Sequence, residues 1–415
     1  MVSKEKGIGS LSRYLILLLV FAFVLSCRTN AVAEVIKDDI DLGKLRAKFS
    51  NYPQDQNFFP LAVWLQTIDN VPKYKAAGIN TYFALWKGPT PGQIEDLKAA
   101  GMYLICEMNE ESLKHKDDKT IIAWMMMDEP DNFQFKSDIE VAGKKWKYGP
   151  ETSRVSAKDI AEMYETVKKV DSTRPIWVTF SCGMANTMYG GRGGGWKDSM
   201  YPEYMKSCDM VGFDVYPTAS ANGKKGKILW WQAKGLDRMK GWAGADKPRY
   251  NAIGTNFTGE GRAPTPEETK TEIWISIIHG TKGIAYFAHN ISPFVEAALA
   301  QDPKQLANVT KINAQITALA PVINSLDFDG ATVASSNEMV PIDIMVKKYK
   351  DEIYIFAAAM RMGEPATGTF QVKGVTAAGK VEVIGEGRTL EMDAKGQFKD
   401  EFKKWETHNY KVMKK

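Results

Sequence analysis

Asp128 and Glu129 stand side by side where the apolar run "AWMMM" ends, followed by Pro130 and a third carboxylate, Asp131. A chain leaving a core usually turns on Gly, Asn or Lys, so two acids at that point ask for a reason. One reading is a solvated acidic loop. The other is acid–base chemistry, in which a carboxylic acid protonates a leaving oxygen and a second carboxylate attacks carbon or activates water. Partner groups recur at the ends of other apolar runs. Trp64 and Gln66, Trp86, Glu107 and Asn109, Ser181 and Cys182, Asp214 and Tyr216, Thr255 and Asn256, and His289 and Asn290 all occupy such ends. Carboxylates, amides, tryptophans and one histidine make an inventory suited to handling a sugar.

Such residues act together only if the fold brings strand ends to one face. From residue 58 the chain alternates short apolar runs with amphipathic stretches, and the runs number eight: 60–66, 81–86, 103–109, 121–129, 175–181, 210–217, 249–256 and 283–290. They lack period-2 alternation, as parallel strands covered on both faces do. Between them, "TPGQIEDLKAAG", "SAKDIAEMYETVKKVDS" and "TPEETKTEIWISIIHG" read as helices, with start signals at Ser156 and at Thr265 with Glu268, and stop signals at Gly78 and Gly101. Eight β/α units predict a (β/α)8 TIM barrel over 50–325, with the chemistry at the C-terminal strand ends. The "GGRGGG" stretch at 190–195 reads as a flexible rim loop. Beyond residue 325 the texture turns to apolar–polar alternation with Gly, Asn and Asp turns, which predicts a small β-sandwich over 326–415 with a structural role.

Lys4, Lys6 and Arg13 precede the apolar run "YLILLLVFAFVL", which is short for a membrane span and suits a secretory leader over 1–33. "VLSC" predicts lipidation at Cys27 after export, with an outer-membrane or periplasmic location; "AVA" at 31–33 offers ordinary cleavage instead. The net charge of +4, from 54 basic and 50 acidic residues, gives no reason to expect nucleic acid as partner. The four cysteines show no C-x-x-C spacing, and His289 has no companions at ligand spacing, so neither a metal nor another cofactor is expected. Oligomeric state leaves no mark on the sequence. Met125 to Met127 read as core.

"FFPLAVWLQ", "AWMMMDEPD", "VGFDVYP" and "APTPEETKTEIWISIIHGTKGIAYFAH", in this order and spacing, resemble the bacterial glycoside-hydrolase-like barrels of the large clan that includes family 5 cellulases and family 42 β-galactosidases. The resemblance covers most of the chain beyond the leader. It implies a glycosidase acting on a poly- or oligosaccharide, with Glu129 as acid/base at the end of strand four. Asp128 stands where the clan has asparagine. The larger departure is on strand seven, where the clan's second glutamate is replaced by "NAIGTN", with Gly254 near the slot. Glu260 and Asp214 are the candidates for the second carboxylate. Glu260 reads equally as a loop acid and Asp214 as a hydrogen-bonded wall acid, so retaining and inverting courses both stay open. Tyr216 resembles the tyrosine that orients the clan's nucleophile. Trp64, Trp86, Asp128, Tyr216, Asn256 and His289 are the expected sugar contacts, although Trp64 and Trp86 also read as core and His289 as wall. The alternative is a degenerate barrel that binds glycan without cutting it.

Overall fold

The computed structural model describes residues 32–33, 36–37, 40–150, 152–186, 192, 196–219, 226–244, 246–259 and 261–413. Cys27, Glu260 and most of the leader lie outside them. Eight parallel strands close into a barrel: β1 (Leu61–Gln66), β2 (Thr81–Leu85), β3 (Tyr103–Glu107), β4 (Ile121–Asp128), β5 (Ile176–Phe180), β6 (Met210–Asp214), β7 (Arg249–Gly254) and β8 (Thr281–Phe287). Consecutive strands are neighbours, and β8 returns to β1 through Ile284↔Leu61. This is the (β/α)8 architecture that the apolar runs predict, and it brings every C-terminal strand end to one face.

Local signals start and stop the helices as expected. Thr90 and Thr265 each form a reciprocal cap with Gln93 and Glu268, and Ser156 accepts from the Asp159 N–H. Gly78 and Gly101 take φ of 78° and 65°, a left-handed turn open to glycine at little cost, and redirect the chain into β2 and β3.

The core has two shells. Phe83, Ile105, Met125, Trp177 and Tyr250 fill the barrel interior, with the Trp177 ring 4.3 Å from that of Tyr250. The short helix Leu42–Lys48 and Tyr52 and Phe58 belong to the same cluster, closing the barrel floor from below. The outer shell lies between strands and helices and continues into the C-terminal domain.

That domain is a β-sandwich. One sheet runs Ile342–Tyr349, Glu352–Ala359, Thr407–Met413, Gly379–Val383, Arg388–Met392. The other runs Ala331–Ser335, Ala366–Val372, Gln397–Phe402, and its edge is extended by Val32–Ala33, which pairs antiparallel with Ala331–Ser335. Strict alternation of buried and less buried positions along Ala366–Val372 and Gln397–Phe402 follows from one covered face per sheet. Phe370 and Phe398, cross-strand neighbours on the covered face of the second sheet, stack at 4.6 Å.

Helix Pro266–Ile278 is the joint between domains. Ile273, Trp274, Ile275, Ile277 and Ile278 are all fully buried, because the helix is covered by the barrel on one side and the sandwich on the other. Trp274 stacks on Phe356 at 5.8 Å, and Thr271 donates to the Trp405 carbonyl at 2.6 Å. Just past this helix, His279 Nδ1 lies 2.9 Å from Asp237 on the barrel and Nε2 lies 3.2 Å from Asp343 on the sandwich. Burial alone would push the imidazole down, but the two aspartates outweigh it and raise it to about 9.

A raised histidine contributes stability that is complete below its unfolded pKa near 6.5 and is lost as pH rises through 9. The shift corresponds to about 3 kcal/mol. Chemical denaturation of wild type and His279→Gln across pH 6 to 10 is expected to show the wild-type advantage vanishing over that window; a constant difference would remove His279 from the interdomain linkage.

Candidate active site

Strand β4 builds the centre. Met125 packs inside the barrel, whereas Met126 and Met127 pack in the outer shell, and the register against β5 shifts between Met125 and Met127. The irregularity resets the alternation so that Asp128 faces the barrel mouth. In extended backbone the next side chain would point away. Glu129 instead takes φ of 47°, and both carboxylates reach one cleft. A non-glycine residue held there costs about 1–2 kcal/mol. The turn is secured by Glu129 N–H donating to Thr179 O at 2.7 Å and Gln134 Nε2 donating to Glu129 O at 2.7 Å.

Asp131, the third acid of the stretch, faces inward. Fully buried, it accepts from Ser181 N at 2.9 Å, Ser181 Oγ at 2.7 Å and Tyr201 OH at 3.1 Å. Burial raises its carboxyl to about 6, with the Ser181 and Tyr201 donors opposing. Its role is to tie the loop after β4 to the end of β5, which holds Glu129 in place. Sequence reading assigned it no role.

The central cleft encloses about 400 Å³, and Trp64, Phe83, Asp128, Glu129, Asp214 and Tyr216 are among its walls. Glu129 Oε2 accepts from Asn132 Nδ2 at 2.9 Å and ion-pairs with Arg192 Nη2 at 3.0 Å. Asp214, at the end of β6, lines the same cleft as Glu129 and Tyr216, and both bear on its titration. Burial, then the charges of Glu129 and Asp128, hold Asp214 well above the usual carboxylate range. Asp128 is raised by burial and by Glu129, with Arg192 opposing. Three close carboxyls facing one guanidinium cannot all ionise cheaply, so the cluster stores a proton.

Arg192 was missed at the sequence level because it lies in the glycine-rich stretch read as a rim loop. Its Nε donates to the Phe133 carbonyl at 2.9 Å, and its N–H donates to Asn132 Oδ1 at 3.2 Å. An arginine alone among six rim residues was the available signal.

The strand-seven slot is occupied. A Cβ on Gly254 would lie 2.9 Å from Tyr216 Cδ1, so the Tyr216 ring fills the space a side chain on β7 would need. Among the described residues, Asp214 at the end of β6 shares the central cleft with Asp128 and Glu129. Other expected sugar contacts are placed elsewhere and do not line the central cleft. Trp86 stacks on Phe294 at 5.4 Å. His289 is 3% exposed, with Nε2 3.1 Å from the Trp64 carbonyl, and burial lowers its pKa. Asn256 is buried and accepts from Thr255 Oγ1 at 2.8 Å. Glu268 caps its helix and pairs with Arg262, as a structural acid does.

Among the described residues, Glu95, His115 and Asp118 have mutual spacing compatible with a metal, but Lys98 Nζ already pairs with Asp118 at 2.6 Å. They sit on the helix side before β4, away from the carboxylates.

No family model matches the chain, and no curated protein is similar to it in sequence. Solved structures are similar in fold. A point variant of AmyP in complex with maltotriose aligns with a TM-score of 0.51 at 9% identity, covering 88% of this chain and 98% of that one. A candidate alpha-galactosidase from Bacteroides fragilis aligns with a TM-score of 0.51 at 10% identity, covering 86% and 80%. Coverage of this extent takes in the sandwich as well as the barrel, so the two-domain architecture is shared.

Gly254→Ala is expected to displace the Tyr216 ring and cost about 1–3 kcal/mol, the usual range for overpacking. Thermal denaturation of Gly254→Ala beside Gly254→Ala/Tyr216→Ala checks this. The double variant should recover part of the loss; no recovery would mean that the two positions do not share that space.

Proposed function

We propose that this chain is an exported glycoside hydrolase in which Asp214 donates the proton and Glu129 is the partner carboxylate. The observation that carries the reading is the grouping of Asp214, Glu129 and Asp128 in one cleft walled by Trp64, Phe83 and Phe287. Cleaving a glycosidic bond needs one carboxyl that stays protonated near neutral pH and one that carries charge. Burial and two neighbouring acids favour the protonated form of Asp214. Arg192 and Asn132 place positive charge and a donor on Glu129, which suits it to attack or to activate water. This reverses the role that the family resemblance implies for Glu129. Asp128 raises the proton affinity of Asp214, and the half-buried Trp64 and Phe287 offer aromatic faces to a sugar. The bound maltotriose of AmyP supports a carbohydrate ligand.

A second reading is favoured by one observation. Glu129 acts on the proton affinity of Asp214 at hydrogen-bonding range, nearer than the roughly 5 Å that even a retaining pair requires. Unless a sugar parts them, the site binds glycan and leaves it whole.

Export is proposed from the charged and apolar leader. Val32–Ala33 pairs with Ala331–Ser335, and cleavage after Ala33 would remove that edge strand, which supports processing at Cys27.

With dinitrophenyl glycosides, whose leaving group needs no proton, Asp214→Asn should retain much of the wild-type rate. On polysaccharide the same variant should lose about 10²–10⁴-fold. Glu129→Gln should fail on both substrates. The opposite pattern would swap the roles, and wild type that retards a glycan on a gel without cutting it would establish the binding reading. For the leader, Cys27→Ser should release the protein from the membrane fraction; a mature N-terminus at Glu34 found by mass spectrometry would refute lipidation.

A further inference from the structure

Resting on the glycosidase reading, we propose that the barrel mouth takes an unbranched polysaccharide along its length and cuts it internally, with an aromatic platform on each flank of the carboxylates. Beside the central cleft lies a second cavity of about 640 Å³, and Asp128 and Arg192 line both. Each space alone is within the roughly 300–1,000 Å³ range of a ligand pocket. Together they leave room well beyond one sugar at the reacting bond.

The second cavity is built by a hairpin inserted after β4, Asp138–Val141 paired with Lys144–Lys147. Trp146 is buried beneath it, and Ala142 N–H donates to the Met108 carbonyl at 3.0 Å, so this wall is anchored. Glu107 opens into the space, its carboxyl raised by burial. At the rim, Phe135 is 75% exposed with the Arg192 guanidinium 4.8 Å over its ring. On the β8–β2 side, Phe294 is 51% exposed and stacks on Trp86, while Ile291 lines the central cleft. Large apolar side chains left open beside a polar cleft mark a binding surface. A pocket that accepts only a chain end would need one of these flanks closed.

The test uses wild type, Phe135→Ala and Phe294→Ala on soluble amylose, mannan, xylan and galactan. Viscosity and new reducing ends are followed together. On the polymer that is cut, viscosity should collapse while few bonds are broken. Each variant should raise the KM for that polymer about tenfold relative to its KM for a dinitrophenyl glycoside. Release of only mono- or disaccharides from the start, or an unaltered KM ratio in both variants, overturns the proposal. If wild type cuts none of the four, affinity electrophoresis in the same polymers decides. Retardation weakened in both variants upholds the path while refuting catalysis; unchanged or absent retardation overturns the path itself.

Discussion

The whole mouth of the barrel is organised around keeping three carboxyls together with one guanidinium. Left to themselves, Asp128, Glu129 and Asp214 would repel one another into solvent. They stay because the fold holds them there. Glu129 is fixed by a left-handed backbone and by the donors of Asn132 and Arg192, and Asp214 shares its cleft with Tyr216. Beneath them Asp131, a fourth acid, is neutralised by hydrogen bonds rather than charge and welds the loop to β5. The stability of the rest supports this costly arrangement, and the two-shell core of the closed barrel is where that stability comes from.

The same limit on space explains strand seven. A barrel mouth holds a limited number of side chains, and the Tyr216 ring, packed 5.0 Å from Phe287, uses the volume over Gly254. The absence of a side chain on β7 at Gly254 and the placement of the Tyr216 ring there are therefore one steric event. The site is a self-consistent variant of the strand-end arrangement, and the glycine is part of it.

Much of this was legible in the sequence. The eight runs appear as strands within a few residues, because strands covered on both faces must be apolar throughout and leave a strong signal. Ser156 and Thr265 cap helices as their spacing predicts. Asp128, Glu129, Asp214, Tyr216 and Trp64 do converge, since a closed barrel brings its strand ends to one face. The features that stayed hidden depend on contacts distant in sequence or on backbone dihedrals. Arg192 sits in a glycine tract whose composition says only that it is a loop. The hairpin at 138–147 is four residues a side, with alternation masked by lysines and a two-residue turn in which Ala142 at φ of 51° precedes Gly143 at 77°. Trp86 and His289 occupy strand ends yet turn into the wall, because the Trp64 carbonyl and Phe294 claim them first.

The pairing of Val32–Ala33 with the sandwich has a consequence for the order of events in the cell. Among the described residues, the first strand to leave the ribosome is hydrogen-bonded to a sheet whose other members are made late. Until synthesis nears its end that segment has no partner, and the barrel floor helix Leu42–Lys48 directly behind it must assemble on an incomplete ring. When the sandwich does form, the same two residues cover the exposed edge of Ala331–Ser335, an edge that could otherwise recruit a strand from another chain. A nascent polypeptide thus carries from the outset the piece that will seal its own final seam.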